Sequence, residues 1–90
     1  MKIQVLGTGC AECKLLLSRV KEAVRESGFS IDVEYITDIK EIIEHNIMLT
    51  PGLVINGKIV STGKVLSKEE IVSKIMNAKL EEENEEEKQR

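Results

Sequence analysis

Cys10 and Cys13 are the only thiols in the chain, and they stand as C-x-x-C inside the stretch Gly7-Thr8-Gly9-Cys10-Ala11-Glu12-Cys13. Two thiols at this spacing have two natural chemistries. They can pass electrons as a dithiol/disulfide pair, or their thiolates can hold a soft metal ion. If they fall in the first turn of a helix, three residues of advance bring the sulfurs within bonding reach with little backbone movement.

The flanking residues supply that helix. Ile3, Val5 and Leu6 form a short apolar run, read as a buried strand. Gly7 and Gly9 then let the chain turn sharply, through backbone angles closed to other residues. From Ala11 to Ser27 the apolar residues Cys13, Leu16, Leu17, Val20, Ala23 and Val24 recur at spacings of three and four, a helical period, and Gly28 is placed as its C-cap. The loop is not a dinucleotide fingerprint, since the last glycine of G-x-G-x-x-G would fall on Glu12. On this reading Cys10 lies at the helix N-cap or first turn. Unpaired N–H groups and the positive end of the helix dipole favour a thiolate there. Glu12 opposes the thiolate and Lys14 favours it. Cys13, one turn on, faces inward with Leu16 and Leu17. Cys10 is therefore expected to attack and Cys13 to resolve, with Gly9, Ala11 and Glu12 shaping the loop.

Further along, Ile31, Val33 and Tyr35 alternate with Asp32 and Glu34 as a strand with one wet face. Its helical crossover from the first strand predicts a parallel, right-handed βαβ unit. Asp38 and Glu41 open a short helix with Ile39, Ile42 and Ile43 as its inner face, ending near His45-Asn46. Leu53-Val54-Ile55 and Ile59-Val60 are strands joined by Asn56-Gly57, a two-residue hairpin signal. Ser67 and Glu70 form a capping box, Leu66 staples to Ile71, and Ile71, Val72, Ile75 and Met76 form the buried stripe of a last helix. His45 reads as a surface or capping residue, and the hydroxyl of Tyr35 is expected at the surface. Pro51, the only proline, directly precedes the third strand. If that strand pairs antiparallel with the first, Thr50-Pro51 faces the cysteine loop and forms a docking edge, with Met48 and Leu49 as packing or rim.

Composition narrows the function classes. Of 90 residues, 41% are hydrophobic but only 2% aromatic, so the single core is built from Ile, Val and Leu. Residues 1–79 carry 11 basic and 10 acidic side chains, whereas residues 80–90 carry 2 and 6. A near-neutral body argues against nucleic acid, and an acidic tail against an anionic membrane. The start of the chain has no apolar signal region, and no apolar run is long enough to span a membrane, so a soluble, cytoplasmic monomer is expected. In that compartment a cysteine pair is more often catalytic or metal-binding than a structural staple. Like charges at Glu81/Glu85, Glu82/Glu86 and Glu83/Glu87 predict a frayed or disordered tail over 80–90 after a domain at 1–79.

The order β-α-β-α-β-β-α, Cys10-x-x-Cys13 at the first helix start and Thr50-Pro51 before the third strand resemble the thioredoxin fold. The compact length and the Gly7–Cys13 motif are similar to glutaredoxins and, more closely, to the small redox-active disulfide proteins of that fold. The resemblance covers residues 1–79. It implies an α/β, thioredoxin-like domain, a four-stranded mixed sheet with helices on both faces, and a cis Thr50–Pro51 bond. It also implies thiol–disulfide oxidoreductase activity through a mixed disulfide. Disulfide-containing proteins or small thiols would be the substrates and a reductase the electron donor, with no cofactor and no metal. Gly63 resembles the glycine turn after the fourth strand of glutaredoxins. Gly9 stands where thioredoxins have Trp, Ala11-Glu12 where they have Gly-Pro and glutaredoxins Pro-Tyr, and Ile3–Leu6 contains no buried acid. Two other readings are a copper- or zinc-carrying thiol module and a non-catalytic regulatory module. Copper-carrying domains that open similarly run β-α-β-β-α-β and end in a strand, whereas this chain ends in a helix.

Overall fold

Strand β1 (Lys2–Leu6) is central because both of its faces are apolar: Ile3 and Val5 point one way, Leu6 the other, and all three are fully buried. In the computed structural model it is followed by α1 (Ala11–Ser27), β2 (Asp32–Ile36), α2 (Ile39–Glu44), β3 (Gly52–Ile55), β4 (Lys58–Thr62) and α3 (Lys68–Lys88). The structure describes the backbone of residues 1–88 and the side chains of residues 1–82. No helix among the described residues is long and apolar enough to cross a membrane.

The sheet order is β2-β1-β3-β4. β1 and β2 are parallel, with Lys2 beside Asp32 and Leu6 beside Ile36, and the 17-residue α1 makes the crossover. β3 runs antiparallel to both β1 and β4. Asn56 takes a positive φ of 51° and Gly57 one of 80°, as a tight two-residue hairpin requires. The result is the mixed, four-stranded α/β sheet of the thioredoxin-like fold.

Side-chain alternation divides the interior into two unequal cores. On one face Ile3, Val5, Leu53 and Ile55 meet Leu16, Val20 and Ala23 of α1 and Ile71 and Ile75 of α3. On the other face Leu6, Ile36 and Val54 meet only Ile42 of α2 and Ile47 after it. Helices thus cover both faces, but α2 has six residues and covers one end. This explains a departure from the helical reading. Of the three isoleucines assigned inward, only Ile42 is buried, while Ile39 and Ile43 are 62% and 65% exposed. A helix of under two turns presents one residue squarely to the sheet. Met76 is likewise exposed at the margin of the α3 stripe.

The helix ends follow their signals. Ser67 Oγ accepts from the Glu70 N–H at 3.2 Å, and Glu70 Oε1 accepts from the Ser67 N–H at 3.5 Å, the two halves of a capping box. Asp38 Oδ1 accepts from the Lys40 N–H at 2.9 Å. Gly28 closes α1 in the left-handed region at φ 76°. The α1 and α3 helices are joined at the surface by Lys68 and Glu26, 3.0 Å apart, and that hydrogen bond foremost raises the Lys68 pKa.

Two expectations change. The Tyr35 hydroxyl is buried and has no hydrogen-bond partner among the described residues, because Tyr35 lies on the face covered by the larger core. The backbone at 80–82 is helical rather than frayed. Glu81 pairs with Lys58 at 2.9 Å, and Glu82 accepts from Asn56 Nδ2 at 2.8 Å and lies 3.9 Å from the N-terminal amine. The donors come from the chain start and the β3–β4 turn, distant in sequence. Helix α3 itself continues to Lys88. Side-chain behaviour expected for residues 83–90, and everything expected of Gln89 and Arg90, lies outside the described residues.

Candidate active site

The site lies at one end of the sheet, where β1 hands over to α1. Gly7 continues the β1–β2 ladder by donating its N–H to Ile36 O at 3.0 Å. After Thr8 and Gly9 the helix starts with Cys10 as its N-cap. Cys10 has extended backbone angles (φ -68°, ψ 165°), and its carbonyl accepts the first helical bond from the Lys14 N–H at 3.1 Å. Its sulfur fills the role usually taken by a serine or aspartate oxygen. Cys10 Sγ accepts from the Cys13 N–H at 3.2 Å.

Cys10 and Cys13 are joined as a disulfide, with Cα atoms 5.1 Å apart. The two sulfurs have opposite surroundings. Cys10 is exposed, whereas Cys13 is fully buried one helical turn on. Ala11, Glu12 and Lys14 are exposed around the pair. Glu12, in the first turn, interacts favourably with the helix dipole. Of the two loop glycines, only Gly9 uses a backbone conformation that favours glycine, with φ 89°. Gly7 is not in the left-handed region, so its role is not the conformational freedom expected for both.

The β1–β3 register pairs Leu6 with Gly52, which brings Pro51 and Thr50 opposite Gly7 and Thr8. The Thr50–Pro51 peptide is cis, and Pro51 is buried. The Pro51 carbonyl accepts from the Gly63 N–H at 2.9 Å, tying the turn after β4 to this edge. Gly63 has φ 68°, and a side chain there would press on Leu49 Cβ at 3.2 Å.

Thr8 and Thr50 also line an apolar groove of about 670 Å3 completed by Ile39, Ile42, Ile43, Ile47 and Met48. Met48 is 94% exposed. The place of Met48 before Thr50 marks it as packing or rim, whereas the helical pattern assigns Ile39 and Ile43 inward and does not identify them as groove residues. Their exposure depends on how far α2 reaches over the sheet. His45 is the C-cap of α2, with Nδ1 2.7 Å from Glu41 O, as its reading as a capping residue predicts, and it does not line the groove. Among the described residues, no group of three or more His, Cys, Asp or Glu side chains is placed to hold a metal ion.

The thioredoxin domain model matches residues 1–76. The chain belongs to the thioredoxin family. Among curated relatives, a thioredoxin of Methanothermobacter thermautotrophicus is 44% identical over 58 residues, covering 64% of this chain and 75% of that protein. A thioredoxin of Methanocaldococcus jannaschii is 38% identical over 54 residues, covering 60% of this chain and 62% of that one. With its C-x-x-C pair joined at the helix start, this thioredoxin-family protein is a thiol–disulfide oxidoreductase.

Proposed function

We propose that the protein reduces protein disulfides by attack through Cys10 and resolution through Cys13. The observation that carries this reading is the asymmetry of the pair: an exposed cysteine whose sulfur accepts an N–H at a helix N-terminus, bonded to a cysteine with no exposure. In the dithiol form the same N–H and the helix dipole stabilise a Cys10 thiolate. That thiolate attacks one sulfur of a client disulfide. A Cys10–client bond forms, the client S–S bond breaks, and the leaving client thiolate takes up a proton. Cys13, once deprotonated, attacks Cys10 Sγ and releases the second client thiolate. The client gains two electrons and the protein is left oxidised. The electron pair passes from the Cys10 and Cys13 sulfurs to the two client sulfurs, and a reductase or small thiol restores the dithiol.

The roles are tested by timed alkylation of the reduced protein with iodoacetamide. Cys10 is expected to react about tenfold faster than Cys13 or more, since the thiolate is the reactive species and Cys13 is enclosed. Equal rates, or Cys13 labelling first, would refute the assignment.

Thr50 and Pro51 serve as the docking edge, and the adjoining groove holds apolar residues flanking the client cysteine. Truncating two exposed lining residues, Ile43→Ala with Met48→Ala, leaves the cores intact. It is expected to raise KM for a protein disulfide roughly tenfold, as for loss of about 1.5 kcal/mol of apolar burial, with kcat unchanged. An unaltered KM would remove the groove from the reading.

A further inference from the structure

Gly7 is buried, its N–H is bonded to β2, and its backbone conformation is open to any residue. What excludes a side chain is Cys13, its sulfur foremost and its Cβ beside it. A Cβ built on Gly7 would overlap Cys13 Sγ and stand 2.8 Å from Cys13 Cβ. Gly7 is therefore the floor on which the buried sulfur rests. That sulfur is also bonded to Cys10, and the Cys13 N–H is committed to Cys10 Sγ. We propose that Gly7 is a positioning residue for the exchange reaction, and that the absence of a side chain there holds Cys13 Sγ where it can bond Cys10.

The two redox states respond differently to a methyl group at this position. With the disulfide closed, Cys13 Sγ is bonded on one side and cannot turn away, so the backbone of the β1–α1 loop has to move. With the dithiol, Cys13 can rotate about χ1 to another staggered position. An alanine at position 7 thus penalises the oxidised form more than the reduced form. It also turns the resolving thiol away from the Cys10–client bond. The closing step is slowed, in which Cys13 Sγ bonds Cys10 Sγ and the client thiolate departs, whereas the first attack by Cys10 is not.

This inference rests on the proposed roles only for the kinetic part, because the equilibrium part depends on the disulfide alone. The experiment is a redox titration of Gly7→Ala in glutathione buffers, with stopped reactions analysed for mixed disulfide. The expected result is about a tenfold fall in the equilibrium constant for disulfide formation, equivalent to a potential about 30 mV less negative. Mixed disulfide should accumulate while the rate of Cys10 alkylation stays unchanged. An unshifted potential overturns the proposal. A shifted potential with the alkylation order reversed keeps Gly7 in place and refutes the attack roles instead.

Folding is controlled with a second pair of variants. In Cys13→Ala protein the sulfur is gone and only the Cβ contact remains. Gly7→Ala is expected to cost less thermal stability there than in the oxidised parent. An equal cost, or a double variant that does not fold, would show that the fold rather than the sulfur requires the space, and would overturn the proposal.

Discussion

Replacing Cys10 by serine is expected to reduce disulfide reductase turnover to background, whereas replacing Cys13 by serine stops turnover but leaves the first half-reaction intact. A serine hydroxyl at the N-cap still accepts from the Cys13 N–H, as Cys10 Sγ does at 3.2 Å, so α1 keeps its cap. What is lost is the thiolate, and a neutral hydroxyl does not attack a disulfide. In Cys13→Ser the exposed Cys10 remains, attacks, and cannot be released, since the group that would displace the client is gone. The two variants should therefore diverge when incubated with a disulfide-bonded client and resolved on a non-reducing gel. Cys13→Ser should accumulate a covalent complex and Cys10→Ser should not. Equal trapping by both, or trapping only through Cys13, would contradict the inward and outward roles derived from burial.

The second large effect is on stability. Leu16 is fully buried, between the sheet and α3, whereas its neighbour Leu15 is 45% exposed. Leu16→Ala removes buried methyl groups and leaves a cavity that the surroundings fill only in part, at a cost of about 3 kcal/mol. A domain of this size has a total stability of roughly 5–13 kcal/mol. The melting temperature should fall by roughly 15 °C, since each kcal/mol shifts a domain of this length by several degrees. Leu15→Ala, one residue away on the same helix, should stay within about 0.5 kcal/mol of the parent. Thermal unfolding of the oxidised proteins followed by circular dichroism distinguishes the two. Similar losses for both would mean that the helix face has been assigned wrongly.

Local signals in the sequence reach far into this fold. The change from a short apolar run to a helical period at Gly7–Ala11, the Ser67–Glu70 capping box and the Asn56-Gly57 turn each determine structure within a few residues, and each is realised locally. Cys10 and Cys13 are legible for the same reason, since one helical turn sets their spacing. Features that depend on pairing were harder to read. The placing of Pro51 opposite Gly7 follows from the Leu6–Gly52 register, which had to be assumed from topology. Exposure of Ile39 and Ile43 follows from the shortness of α2, which periodicity alone does not weigh. Glycines were the most ambiguous. Gly9 needs its positive φ, but Gly7 stands where a side chain would meet a sulfur six residues later. That distinction requires three dimensions. At 80–82 the run of like charges concealed partners at the chain start and the β3–β4 turn.

The inequality of the two cores has a further consequence for motion. The larger core joins two long helices to the sheet, while the smaller joins one short helix and Ile47 to three strand residues. Segments that bury little open at lower free energy than the rest of the molecule, without global unfolding. In this protein that segment is α2 with the loop to Thr50, which is one wall of the groove beside the disulfide. Cys13, by contrast, is anchored in α1, which packs against the larger core. The sulfurs are thus held by the slow-breathing part of the molecule, and the groove we propose for clients belongs to the part that opens first, so differently shaped partners would be accommodated without disturbing the geometry of the sulfurs.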